Sequence, residues 1–429
     1  MTTRICNVIA REIWDSRGRP TLEVDVELEG GTRGRAIAPA GASIGRSEAM
    51  ELRDGGDRLA GFGVRRAIST VEQQVAPALH GVDSTDTVAV DARLLALDDD
   101  ANKSRIGGNV VTATSMAAAH AAANVSRMPL WRWLSAGNPS RAPLPEIQIF
   151  GGGAHAGGRV DIQDFMVIAI GAESYAQALE WTADVYRSAG SLLDCGGRRH
   201  GIADEGGYWP TFDSNEQSLE FLVQAIEDAG FVPGADVAIA LDVAASELWR
   251  DPYYVLNSEQ RRYDCDGWLE LLCSWVQRYP VVSVEDPCVE HDLDGMRRFT
   301  EAVGPYVQVV ADDVVVTSAA RIRDAAEQGA GNAALIKPNQ VGTLTEARAA
   351  LDATRAAGWG AIASARSGET EDTTIVHLAV GWGLPQLKIG ALARGERTAK
   401  WNEGLRITED LRDGGRLPPA AEFPWGRRG

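Results

Sequence analysis

Two hydrophobic periodicities divide the chain. From Thr21 to Leu28 apolar and polar residues alternate strictly and stop at Gly30-Gly31, which predicts a half-exposed antiparallel strand with Arg33 to Ala38 as its hairpin partner. Ser104 to Ala123 is alanine-rich with few charges and predicts a buried packing helix. Beyond the prolines at 139, 143 and 145 the pattern changes to short, continuous apolar runs: Val237 to Leu241, Val281 to Val284, Val307 to Ala311, Ala333 to Ile336, Ala361 to Ala365 and Leu384 to Leu387. Such runs predict strands buried on both faces. Their spacing, roughly 20 to 45 residues, leaves room for a helix and two loops between strands. Amphipathic stretches at Ala178–Leu193 and Ser218–Ala229 predict two of those helices. The fold class is therefore α/β: a small α+β domain over residues 1–140, then a β/α barrel of parallel strands over 141–429.

The runs end on charge. They meet Asp242, Glu285-Asp286, Asp312-Asp313, Lys337, Arg366 and Lys388 in turn. A β/α barrel gathers the C-terminal ends of its strands on one face, where its chemistry sits. Three acids from three strands suit a hard divalent cation, with the two lysines acting beside it. Other segments carry weaker signals. Pro39 to Gly45 is a small-residue loop with Ser43 near its tip; alone it reads as a surface turn, and near a site as a lid. Gly151 to Gly158 is a glycine-dense loop with His155, and it matches neither a GxGxxG nor a Walker pattern. A lone histidine is more often structural, but flanking glycines let backbone close over a ligand. Gln163 and Asp164 fall near a strand end, and Asp204-Glu205 precedes a Gly-Gly turn. Paired acids usually just decorate a turn; beside a metal face they become acid/base candidates.

Bulk properties narrow the partners. A chain of 429 residues with a net charge of −18 argues against nucleic acid, and an anionic substrate would need local positive charge or metal. Cys6, Cys195, Cys265, Cys273 and Cys288 show no paired metal spacing. Their odd number, with no leader-like segment, predicts a reducing cytoplasm. No apolar run approaches the roughly 20 residues of a membrane span. The Gly-, Pro- and Arg-rich tail after Gly414 reads as loosely ordered.

Taken together, Asp15-Ser16-Arg17-Gly18, Gly41-Ala42-Ser43, Gly152-Gly153-Ala154-His155-Ala156, Asp204-Glu205-Gly206-Gly207, Ala240-Leu241-Asp242-Val243, Glu285-Asp286-Pro287, Lys337-Pro338-Asn339-Gln340, Arg366-Ser367-Gly368-Glu369 and Lys388 make the chain resemble the enolases from end to end. That resemblance implies an enolase-type TIM-like barrel and a magnesium-dependent dehydratase of 2-phosphoglycerate, as in glycolysis. It implies Asp242, Glu285 and Asp312 as ligands of one Mg2+, with Ser43 helping to hold a second. It implies Lys337 as the base at C2, Lys388 at the substrate carboxylate, and Glu205 as the acid assisting hydroxide departure. Arg366, Ser367 and Gln163 match phosphate contacts, His155 matches a residue that closes over the substrate, and a homodimer is the family expectation. Burial and neighbouring cations should lower the pKa of a lysine serving as base.

The chain also departs from the enolase pattern. Asp164 stands where the family has glutamate, and Ala365 where it has histidine. Ala40, Ile44 and Ala154 replace loop hydroxyl residues, and Tyr208-Trp209 replaces a smaller pair. Loss of a ring and a methylene predicts an enlarged pocket unless Tyr208 or Trp209 fills it. Two substrates fit these departures: 2-phosphoglycerate, or a bulkier phosphonylated or phosphorylated glycerate of the kind used by the enolase-like carboxyphosphonoenolpyruvate synthases of antibiotic biosynthesis. A third reading, a non-catalytic binding relative, is opposed by the intact Asp242, Glu285, Asp312, Lys337 and Lys388.

Overall fold

A computed structural model of the chain describes residues 2–41, 45, 47–138 and 140–427. The first part of the chain forms an antiparallel sheet of β1 (Ile5–Trp14), β2 (Pro20–Leu28) and β3 (Arg33–Ile37), in that order, and the helix α1 (Gly108–Val125) packs on β2 and β3. The alternating strand β2 differs from its expected half-exposed state, because it is buried almost throughout. It is the central strand, and its acidic face is covered by arginines from both neighbours. Arg11 of β1 pairs with Glu23 and Asp25, and Arg35 of β3 pairs with Asp25 at 2.7 Å. Burial of Asp25 pushes its carboxyl up, but the Arg35 and Arg11 hydrogen bonds pull it below the ordinary carboxylate value.

Eight strands then close a barrel: β4 (Leu144–Gly151), β5 (Asp164–Ile168), β6 (Ala238–Asp242), β7 (Val281–Glu285), β8 (Gln308–Ala311), β9 (Ala333–Ile336), β10 (Gly360–Ser364) and β11 (Gln386–Gly390), with β11 pairing back onto β4. The expected all-parallel order holds except at β5, which runs antiparallel to both β4 and β6. The physical reason lies in the connection. Between β4 and β5 the glycine-rich loop forms one short 3-10 turn and no crossover helix, so the chain turns back on itself. Two helices, α2 (Tyr175–Cys195) and α3 (Asn215–Asp228), precede β6, and thereafter each strand is followed by a helix of nine or more residues: α4 (Cys265–Arg278), α5 (Leu293–Val303), α6 (Ala319–Glu327), α7 (Leu344–Ala356), α8 (Thr374–Trp382) and α9 (Gly395–Asp410). Local chemistry sets several helix starts. Ser174, Ser214, Asp264, Asp292 and Thr343 each accept a hydrogen bond from a backbone N–H three residues on, and Thr343 forms a capping box with Glu346.

The tail expected to be loose is packed. Phe423 and Trp425 stack with ring centroids 4.4 Å apart, and both are buried. Apolar ring area outweighed the Gly, Pro and Arg content. The N-terminal part reaches the barrel through an Ala40–Gly368 bridge, an Ile37 N–H donated to Asp372 at 2.8 Å, and a Lys103–Glu346 ion pair at 3.0 Å.

Contact between β3 and α1 generates a sharp prediction. A Cβ on Gly34 would lie 2.0 Å from Ala121 N and 2.2 Å from Ala117 O, both backbone atoms that cannot swing aside. Gly34→Ala should therefore destabilise the protein by about 3 kcal/mol or more. Urea denaturation checks this, and a midpoint within experimental error of the parent would refute so close an approach.

Candidate active site

The strand ends deliver their charges to one place. Asp242 and Glu285 are the last residues of β6 and β7, while Asp312 and Lys337 follow β8 and β9 directly. Lys388 differs from its expected position after a strand: it lies inside β11 and points into the barrel. All five are buried, at 8 % exposure or less. Lys388 Nζ donates to Asp242 Oδ2 at 2.8 Å and to Glu285 Oε2 at 2.6 Å, and lies 4.0 Å from Asp164 Oδ2. Lys337 Nζ meets Asp312 Oδ2 at 2.5 Å, and Gln340 Nε2 holds the other Asp312 oxygen at 2.9 Å. Gln163 Nε2 donates to Asp242 Oδ2 at 3.0 Å.

The second half of the site comes from loops. His155 Nδ1 is 3.1 Å from Asp164 Oδ1, and its Nε2 is 3.9 Å from Glu205 Oε1. Arg366 forms a two-pronged pair with Glu48, with Nη1 at 2.8 Å from Oε2 and Nη2 at 3.3 Å from Oε1. Arg17 Nη1 donates to Ser367 Oγ at 3.3 Å. Beneath this loop the fully buried Arg397 donates to the carbonyls of Arg366 and Ser367, fixing their backbone. His155, Gln163, Asp164, Glu205, Asp242, Lys337, Ala365, Arg366, Ser367 and Lys388 all line one cavity. Ser43 lies outside the described residues, as does Ile44.

That cavity measures about 20 Å³, close to the space of a single water. Long charged side chains reach into the space. Neither Tyr208, stacked on Tyr186 at 4.3 Å, nor Trp209, packed against His200 at 4.6 Å, is part of the wall.

Electrostatics follow from burial against opposite charge. Burial pushes Asp242 and Asp312 up, but Lys388 pulls the first and Lys337 the second below the ordinary carboxylate value. Glu285 is held well above its ordinary value by burial and by the Asp242 charge. Glu146, on β4 beneath the site, is pushed up to about 7, chiefly by burial. Lys337 departs from the expected fall. Burial pulls its ammonium down and the Asp312 and Glu285 carboxylates push it up; Arg366 and Lys388 pull back less, so the net lies above the ordinary lysine value.

Among the described residues, two groups bring three potential ligand atoms within 4.8 Å of one another: His155 with Asp164 and Glu205, and Asp286 with Asp312 and Asp313. Asp242, Glu285 and Asp312 are not such a group, because Lys388 bridges the first two and Lys337 holds the third. Their chemistry still fits a hard cation. The donors are all oxygen, Glu285 Oε1 is buried with no hydrogen-bond partner among the described residues, and burial with the Asp242 charge holds the Glu285 carboxyl well above its ordinary value. Asp286 serves the strand end instead: its two oxygens accept the N–H groups of Asp312 and Asp313, each at 2.9 Å.

Comparison with known proteins finds relatives over nearly the whole chain. The model for the enolase C-terminal TIM barrel domain matches residues 140–420, and that for the enolase N-terminal domain matches residues 5–134. The chain is 45 % identical over 424 residues to Enolase 1 of Desulfitobacterium hafniense, covering 98 % of this chain and 97 % of that one. It is 46 % identical over 421 residues to the Enolase of Acidothermus cellulolyticus, covering 97 % and 96 %. The chain belongs to the enolase family. Within this enolase, Glu48, Gln148 and Arg397 support the site without having stood out in the sequence. Gln148 and Glu146 carried one available signal, polar positions alternating within an otherwise apolar strand.

A pH prediction follows from His155. Burial pulls its imidazolium down, yet the Asp164 and Glu205 carboxylates push it up to about 9. A histidine raised above its ordinary 6.5 contributes stability that is fully present below about pH 6.5 and is lost as pH climbs through about 9. Unfolding free energies measured across that window should fall with rising pH, and His155→Gln should remove this part of the slope. Parallel curves for parent and variant would contradict a charged His155.

Proposed function

We propose that this enolase is a magnesium-dependent hydro-lyase that removes water from 2-phosphoglycerate in glycolysis. The observation that carries the reading is the buried set of Asp242, Glu285 and Asp312 interleaved with Lys337 and Lys388, in a chain whose relatives bear the enolase name over nearly their full length. Bound at Asp242, Glu285 and Asp312, Mg2+ would supply fixed positive charge for the carboxylate as charge builds up on it. Ser43 is the residue we assign to a second ion, as the resemblance implies.

The remaining chemistry belongs to the protein's own side chains. Lys337 Nζ accepts the proton from C2, the carbon beside the carboxylate. To do so it must shed its proton, which requires that Asp312 and Glu285 be neutralised by something other than Lys337. Lys388, fully buried, keeps its charge and meets the carboxylate as an ammonium. Glu205 assists the departing hydroxide, with His155 and Asp164 beside it. Arg366, Ser367 and Gln163 take the phosphate, and Arg366 leaves or shares Glu48 to do so. Burial of all these groups excludes water from the charge that develops. The bulkier phosphonylated substrate finds no support in the relatives, which bear the enolase name. A homodimer in the cytoplasm is part of the proposal; among the described residues no helix is long and apolar enough to cross a membrane.

Two measurements test the reading. Lys337→Ala should slow Mg2+-dependent exchange of the C2 proton by about 10²- to 10⁴-fold while leaving Mg2+ affinity close to the parent's; exchange at the parent rate would remove Lys337 from the role of base. Mg2+ should raise the melting temperature of the native protein, by an amount growing with the logarithm of its concentration. Glu285→Gln should abolish that rise, and an undiminished rise would place the ion elsewhere.

A further inference from the structure

Gln148 lies in β4 with no solvent exposure, and the reaction as proposed gives it no part. Its amide nevertheless joins two halves of the site. Nε2 donates to Asp164 Oδ1, the same oxygen that His155 Nδ1 approaches at 3.1 Å. Oε1 accepts the Gly207 N–H at 2.7 Å, in the turn that carries Glu205. The orientation of the amide is fixed by chemistry: a backbone N–H can only donate, so the oxygen must face Gly207 and the NH2 must face the carboxylate.

Glycine makes the reach possible at the Glu205 turn: a Cβ on Gly207 would sit 2.5 Å from Gln148 Oε1. With Oδ1 held from two sides, Asp164 Oδ2 remains buried in the cavity wall without a hydrogen-bond partner, 4.0 Å from Lys388 Nζ. An oxygen so placed is the one left to meet a substrate group.

We propose that Gln148 is a positioning residue for the dehydration: its amide clamps the Asp164 carboxylate to the Glu205 turn and makes up, by its own length, the methylene that Asp164 lacks relative to the family's glutamate. The proposal rests on the function assigned above. An aspartate in place of glutamate would otherwise hang short of the substrate, since a misplacement of about 1 Å costs on the order of 100-fold in rate. The long amide opposite restores a fixed Oδ2 at the cost of two side chains that must be matched to each other.

The experiment is a set of reciprocal substitutions in the full-length protein with Mg2+ and 2-phosphoglycerate. Gln148→Glu keeps the shape and the acceptor for Gly207 but sets a carboxylate against Asp164. Gln148→Leu removes both bonds. Each should lower kcat by about 10- to 100-fold with KM changed less than about threefold. Asp164→Glu alone should also lose rate, because the added methylene meets Gln148. Asp164→Glu combined with Gln148→Asn moves one methylene across the pair and should recover most of the parent kcat, a rescue that a purely structural role would not produce. A double variant no better than the product of the two single losses overturns the clamp, as does a Gln148→Leu protein with parental kcat. A second readout needs no turnover: the NMR titration of His155 should shift in Gln148→Leu and stay in place in an Ile149→Val control. Coincident His155 titrations in native and Gln148→Leu protein overturn the clamp as well. A native protein that neither exchanges the C2 proton nor forms product would instead overturn the proposed function, and the His155 titration would then decide on the clamp alone.

Discussion

Everything at the barrel mouth depends on balancing buried negative charge. Glu48, Asp164, Glu205, Asp242, Glu285 and Asp312 are each less than a tenth exposed, and burying an unpaired carboxylate costs several kcal/mol. Lys337, Lys388, Arg366 and His155 meet them at ion-pair distance. The acids outnumber the cations, and the imbalance is felt at Glu285, whose carboxyl is held well above its ordinary value and has one oxygen unpaired among the described residues. A divalent cation is the economical solution to that imbalance, and it explains why the same lysines that hold the acids together are the ones placed to do chemistry. Charge that neutralises the acids also releases Lys337 from them.

That balance is distributed over both parts of the chain. Glu48 belongs to the N-terminal part, yet its partners Arg366 and Gln340 belong to the barrel, and Gln340 in turn orients Asp312. The Ala40–Gly368 bridge ties the same region to the loop that Arg397 supports from below. The N-terminal part is therefore a structural member of the site through Glu48.

Much of this was legible in the sequence because strands buried on both faces leave an unbroken apolar signature and stop where charge begins. The positions of Asp242, Glu285, Asp312 and Lys337 follow from that rule alone. Periodicity failed where a polar face was covered by neighbours: β2 alternates as a half-exposed strand should, but Arg11 and Arg35 lie over its acids. It also failed at the tail, where two aromatic rings outweighed a composition typical of loose segments. Direction was illegible at β5, since an apolar run does not say which way it points. Gln148 and Glu48 stayed hidden for a different reason, because their importance lies in partners far along the chain.

The reversed strand β5 has a consequence for how this site can change over generations. Every other barrel segment leaves the mouth through a loop that must feed an outer helix, so altering that loop risks moving a wall of the scaffold. The segment from Gly152 to Gln163 starts and ends at the mouth and is joined to no helix on either side. Away from His155 and Gln163, which belong to the site, and Asp161, which ties it to Asn215 and Ser258, it can exchange residues as a hairpin tip does, with the cylinder behind it undisturbed. Such a segment is a natural place for selection to adjust what the enzyme accepts while the costly charge arrangement below it is left alone.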